Sequence, residues 1–350
     1  MKKTLKKIFL LPFRFIGYVL AIFTGSNSFV ANPIIGSYLL NRLGLHVFRI
    51  VLAHMVTRFR WTLLMWKMPK EWRQEFHQNG FLVIKDFLPD EQFQQLRQKA
   101  ETVTGEAREL AQGDARTQRI LLDDESLSGQ PELKQFIRGR QLNNALDYCG
   151  GFAHPALFYL QRIRNGKPSA GWTEFDPQKN IHSDTFYPTM KAWYFLDDVK
   201  AEDGPFTYVP GSHKLSWARL KWEYKKSITV QTVHDGYSEK GAMRASLDDL
   251  KSMGMEGPKA LPLPANSLVI ANTHGFHCRG QAKAGRGRFE IWAYMRKNPF
   301  IPLPKLMIRA AQTVEQKTLR WYWGYLDQRN ARRGVPSTWH LIDHKEVTKK

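Results

Sequence analysis

Apolar and polar positions change rhythm three times along the chain. In residues 34–66, Leu39, Leu40, Leu43, Val47, Ile50, Val51 and Met55 recur at helical spacing, and Arg42, Arg49, Arg58 and Arg60 supply charge. This predicts helices packed on their own domain or lying in a lipid headgroup layer, and the lack of acids favours the second. Composition changes at Lys70-Glu71. Residues 81–87 (FLVIKDF) predict a strand, and Pro89-Asp90 opens a polar helix that runs to about Val103. Residues 104–135 are polar and weakly periodic, which predicts loops and short helices.

From Leu157 the texture becomes β. Strands are predicted at 157–164, 191–197, 205–209, 267–272 and 288–296, separated by Gly, Pro, Asn and Asp. Short, unevenly spaced strands without helical crossovers indicate a barrel or double-sheet jelly roll, mainly β with flanking helices. Residues 214–262 read as a mixed insertion. Past Pro299 the chain turns helical again, with Leu306, Ile308, Leu319, Trp321 and Trp323 among many bases. There Trp321, Tyr322 and Trp323 with Arg320 suit an interfacial aromatic belt and a packed helix about equally. The chain therefore divides into an apolar, basic helical segment (1–70), a β domain (71–298) and a basic helical extension (299–350).

Charge sharpens this division. The net charge is +20 over 350 residues, yet residues 71–295 carry 29 bases against 28 acids. The excess sits at the ends: eleven Lys or Arg and no acid in residues 1–70, and twelve bases against four acids in 296–350. In residues 8–23 the bases border and interrupt an apolar run, whereas nucleic-acid arms pair bases with polar residues. An anionic membrane surface is thus the expected partner, and no nucleic acid is expected. Pro12 and Arg14 break the run, and no small-x-small cleavage site follows it. It fits a segment lying in the interface better than a signal peptide or a span. Two cysteines, Cys149 and Cys278, suit a reducing compartment. The expected location is cytoplasmic, peripheral at the inner face of the membrane.

Candidate chemistry begins at His182-Ser183-Asp184. On an extended strand, residues i and i+2 share a side, so an imidazole and a carboxylate can grip one cation. Alone, the triplet matches a surface ion pair equally well. A third ligand must come from a distant strand, and Thr273-His274-Gly275-Phe276-His277 closes the apolar run 268–272. Arg288 follows eleven residues later and opens another apolar strand, from where its guanidinium could clamp a carboxylate. Two histidines and a carboxylate leave positions open on a ferrous ion for a chelating co-substrate and O₂. His274 and Arg286 compete with His277 and Arg288, and the spacing of the second pair favours it. His213 reads as a turn residue, and Cys278 as a packed thiol.

The stretch 182–193 (HSDTFYPTMKAW), then 203–213 (DGPFTYVPGSH), then 275–280 (GFHCRG) with Arg288, resembles the phytanoyl-CoA dioxygenase family over about residues 76–298. The resemblance implies a double-stranded β-helix that binds Fe(II) through His182, Asp184 and His277. It also implies 2-oxoglutarate as co-substrate, its far carboxylate on Arg288 and Trp193 lining its pocket. The chain departs from the family's human-type members in a shorter segment after the H-x-D triplet. The expected activity is hydroxylation of a small-molecule or lipid-linked substrate, with succinate and CO₂ as co-products. The alternative is a catalytically silent jelly-roll binding protein at the membrane surface.

Overall fold

A computed structural model describes residues 11–166, 176–304 and 310–349. Eleven strands are described: β1 (Phe81–Ile84), β2 (Ala107–Gln112), β3 (Ala115–Leu121), β4 (Leu157–Asn165), β5 (Met190–Phe195), β6 (Phe206–Tyr208), β7 (Lys259–Ala260), β8 (Leu268–Asn272), β9 (His277–Arg279), β10 (Gly287–Met295) and β11 (His340–Ile342). Eight form one antiparallel sheet in the order β1-β8-β5-β10-β4-β3-β2-β11, and three form a second in the order β7-β6-β9. The two sheets make the jelly-roll core.

The large sheet is covered on both faces, which explains why its central strands read as near-continuous apolar runs. Alternate residues of β5 and β10 go to opposite sides. Ala192, Tyr194, Ile291 and Ala293 join a core under the helices, while Trp193, Phe195 and Trp292 pack between the sheets. Trp193 and Trp292 are direct cross-strand partners, and Trp193 stacks on Phe206 of the small sheet, centroids 4.2 Å apart.

Several expectations need correcting. Residues 104–135 hold the hairpin β2–β3 as well as helix; its two-residue loop is Gly113-Asp114, with Gly113 at φ 58°. That pair is a hairpin signal, but the strands are polar because Arg108, Glu109, Thr117 and Gln118 are buried against one another and their neighbours. The first strand stops at Ile84 and the following helix spans Asp90–Ala100. Of the C-terminal apolar residues, Leu306 and Ile308 lie outside the described residues. Trp323 packs against the inter-sheet core while Trp321 stands 69% exposed, and Arg320 is paired with Asp123 at 2.5 Å.

The N-terminal segment departs furthest from its expected orientation. Residues 8–10 lie outside the described residues; the rest of the apolar run forms the helix Leu11–Leu20 and a turn at Ala21–Phe23. No described helix is long and apolar enough to cross a membrane. In the helix Leu45–Leu63, Arg49 and Arg60 are fully buried instead of supplying surface charge. Arg49 donates to the carbonyls of Ile22, Thr24 and Ser26. Arg60 donates to those of Gly151 (2.8 Å), Pro299 (2.9 Å) and Ile301 (2.7 Å). Burial pulls both guanidinium groups down to about 10, which leaves them charged at neutral pH. Contacts between this segment and the β domain therefore cross residue 70.

Candidate active site

His182 sits at the edge of the small sheet, directly opposite His277 at the start of β9. The two residues exchange both backbone hydrogen bonds, N–H to carbonyl at 2.9 Å each way. Antiparallel partners put their side chains on one side of the sheet, and the imidazole centroids lie 4.5 Å apart. Asp184 is held by its own amide, which donates to the Thr273 carbonyl at 3.0 Å. Backbone pairing alone thus brings His182 and His277, 95 residues apart in sequence, together.

Each ring is turned by a second contact. His182 Nδ1 lies 2.7 Å from the Asn180 carbonyl and His277 Nδ1 lies 2.9 Å from that of Gly275. A carbonyl only accepts, so each Nδ1 carries the proton and each Nε2 keeps a free lone pair. Both Nε2 atoms face the Asp184 carboxylate, at 3.7 Å from Oδ1 and 3.6 Å from Oδ2. The three candidate ligand atoms all lie within 4.8 Å of one another, a spacing that could hold a metal ion.

Electrostatics favour the donor forms. Burial, and for His182 the neighbouring His277, pushes both imidazoles below their ordinary range, so both are neutral at pH 7. Burial alone would raise the Asp184 carboxyl, but Lys191 and the two histidines overrule it and hold the group well below the usual carboxylate range. Lys191, on β5, places Nζ 2.7 Å from Asp184 Oδ2. Sequence reasoning missed this lysine; its alternation with Trp193 on β5 was the available signal.

Arg288 and Trp193 line the same cavity as His182, His277, Lys191 and Trp292. Arg288 is buried and close to Glu290, Nε to Oε2 3.6 Å, yet its Nε and Nη1 make no hydrogen bond. Burial lowers its affinity for its proton below that of a free guanidinium. A desolvated cation with two idle donors is suited to a carboxylate arriving in the cavity. A second guanidinium at this cavity, Arg119, comes from the unanticipated strand β3; it lies 3.9 Å over the Trp292 ring and donates to Gln161.

The competing residues are elsewhere. Arg286 is half exposed and paired with Glu202. His274 is buried in the turn before β9, its Nδ1 2.9 Å from the Thr185 carbonyl and its ring against His54. His213 is buried and outside the trio. Cys278 forms part of the cavity wall, and burial pushes its thiol up to about 11, so it stays protonated.

The sequence profile of the Phytanoyl-CoA dioxygenase (PhyH) family matches residues 76–249. Two curated relatives are the peroxisomal phytanoyl-CoA dioxygenases of Rattus norvegicus, 25% identical over 175 residues, and Homo sapiens, 26% identical over 174. Each match covers 45% of this chain, and the chain spans about half the length of either relative, 51% and 52%. Among solved structures, the epimerase SnoN in complex with Fe3+, alpha ketoglutarate and nogalamycin RO is 16% identical at a TM-score of 0.43, covering 64% of this chain and 82% of its own. HygX from Streptomyces hygroscopicus with nickel, 2-oxoglutarate and hygromycin B bound is 16% identical at 0.39, covering 65% and 85%. The H-x-D triplet at 182–184 lies inside the segment that matches the phytanoyl-CoA dioxygenase family.

Proposed function

We propose that the chain is an Fe(II)- and 2-oxoglutarate-dependent dioxygenase that hydroxylates a small-molecule or lipid-linked substrate and releases succinate and CO₂. The observation carrying this reading is the convergence of two neutral Nε2 atoms and the Asp184 carboxylate beside a buried guanidinium with idle donors. The donor set fits a ferrous ion, since three protein ligands on one side leave the other side open. When bound, that ion and its co-substrate supply, with O₂, an oxidant able to attack an unactivated C–H bond.

The chain's own residues bind and orient. His182, Asp184 and His277 hold the metal, with the Asn180 and Gly275 carbonyls fixing the ring tautomers. Arg288 takes the far carboxylate of 2-oxoglutarate, and Trp193, held flat by Phe206, walls the pocket. Lys191 places its ammonium beside the Asp184 carboxylate. Trp193, Phe206 and Trp292 supply the apolar part of a wall that is otherwise polar. A lipid-linked substrate and a peripheral position at the inner face of a membrane are the finer reading, supported by eleven bases and no acid in residues 1–70.

Two measurements test the proposal. Asp184→Ala should abolish substrate-dependent succinate release while the fold persists, and wild-type-like release would sink the assignment. Anaerobic addition of Fe(II) and 2-oxoglutarate should give a weak visible charge-transfer band, whereas a silent jelly-roll binding protein gives none.

A further inference from the structure

The helix Leu45–Leu63 is amphipathic in the reverse of the usual sense. Its buried stripe includes His46, Arg49, His54, Thr57 and Arg60. Its outer face presents Phe48 and, two turns on past half-buried Leu52, Met55, Phe59 and Leu63, and Trp66, 70% exposed, continues that face. Leu39 and Leu43 are exposed just before it, and Phe15, Ile16, Leu20 and Phe23 on the preceding segment. The inward polar side is built, not incidental. Arg49 and Arg60 find carbonyl acceptors and aromatic faces, Phe186 at 4.2 Å and Phe152 at 4.0 Å, while His46 Nε2 meets Glu223 at 3.1 Å. With His46, Arg49 and Arg60 each engaged by partners inside, the apolar side chains have been left to face outward.

Apolar surface of this extent marks an interaction site, and charge identifies its occupant. Arg14, Arg42 and Arg58 are exposed among these apolar residues, and residues 1–70 contain no acid to neutralise them. An apolar face rimmed by uncompensated cations complements a bilayer with anionic headgroups. Two copies set face to face would instead bring like charges together. We propose that this face docks the protein on an anionic lipid bilayer, lying in the headgroup layer without spanning it.

The docking layer is joined to the site. Ile50 and Ala53, on its underside, pack with Phe186 and Tyr187, just past Asp184. Asn27 Nδ2 donates to the Asp184 carbonyl at 3.4 Å. The Asp184 loop therefore lies directly beneath the face that meets the lipid, which places the reaction next to a membrane-borne substrate. This deepens the membrane reading above and is independent of the metal chemistry.

The test is vesicle flotation of the full chain without iron or 2-oxoglutarate, so its failure leaves the oxygenase reading standing. Wild type should float with phosphatidylcholine vesicles containing about one-third phosphatidylglycerol and bind pure phosphatidylcholine about tenfold more weakly or worse. Combining Met55→Gln, Phe59→Gln and Trp66→Gln should weaken binding to the anionic vesicles at least about a hundredfold. Combining Arg42→Gln with Arg58→Gln should erase about tenfold of the anionic preference. All five side chains are exposed, so thermal midpoints should match wild type and separate lost docking from lost folding. The inference is overturned if wild type stays unfloated, or if the apolar triple variant floats like wild type. It is also overturned if wild type sediments as a dimer that the triple variant dissolves, since the face would then belong to a second copy.

Discussion

Replacing Arg288 with Met isolates the part of the site that should recognise the co-substrate. The guanidinium is fully buried and ungripped: Nε and Nη1 have no hydrogen-bond partner, and the nearest carboxylate oxygen, Glu290 Oε2, is 3.6 Å away. Its desolvation is already complete before any ligand arrives, so two new charge-assisted hydrogen bonds add nearly their full value. At about 1.5–3 kcal/mol each they amount to roughly 3–6 kcal/mol. Met fills similar space but donates nothing, so Arg288→Met should weaken 2-oxoglutarate binding by about two to four powers of ten. Fe(II) affinity should change little, because Arg288 is not among the three clustered ligands. Arg286→Met is the matched control; that side chain is half exposed and engaged with Glu202, and its loss should leave binding within about threefold. The assay is anaerobic titration of the Fe(II)-loaded protein with 2-oxoglutarate, followed calorimetrically. Wild-type-like affinity in Arg288→Met, or a larger loss in Arg286→Met, would refute the assignment.

Two further outcomes concern stability. Arg60→Met strands the Gly151, Pro299 and Ile301 carbonyls that the guanidinium serves, and should cost about 3 kcal/mol, read as a lower denaturant midpoint at unchanged slope; the exposed neighbour Arg58→Met should cost less than about 0.5 kcal/mol. Acid should destabilise the fold early, because His54, His213 and His274 are buried neutral. Burial, with nearby cations and histidines, lowers His54 far below its ordinary range, His213 to about 3 and His274 to about 4. Unfolding restores an ordinary value near 6.5, so below that pH the unfolded chain takes up protons the native one refuses. Stability is therefore full above about pH 6.5 and falls toward pH 4; each histidine accounts for about 2 kcal/mol by pH 5. Denaturant midpoints that stay flat from pH 7 to pH 5 would contradict this.

What the sequence disclosed follows from which interactions leave a local trace. Strands β4, β5, β8 and β10 were legible within a residue or two, because both faces are covered and the chain reads apolar throughout. The hairpin β2–β3 was not, because its buried positions are filled by Arg108, Glu109 and Gln118, which look like surface until partners such as Asp327 are known. The spacing of His277 and Arg288 pointed at both. The Lys191–Asp184 pair had only the alternation of Lys191 with Trp193 to announce it, and the idle donors of Arg288 left no local trace. The N-terminal helix shows the limit of periodicity. Apolar residues at 3.6 spacing define a face, but nothing local says whether that face points in or out. Here the arginines took the interior, because carbonyls at 22–26, 151 and 299–301 converge there.

The paired backbone at His182 and His277 also governs how this architecture can vary. Because those two residues clasp each other directly, the spacing of the two imidazoles is set by one backbone pair rather than by the length of chain strung between them. Within 214–262, Arg244 bridges His182 from its other side and Met243 accepts from the Ser183 amide, so those positions belong to the clasp, while exposed stretches such as 231–235 can lengthen, shorten or be recast. A protein made this way can acquire a new clientele by rebuilding what hangs from the loop, with no renegotiation of the chemistry at its root.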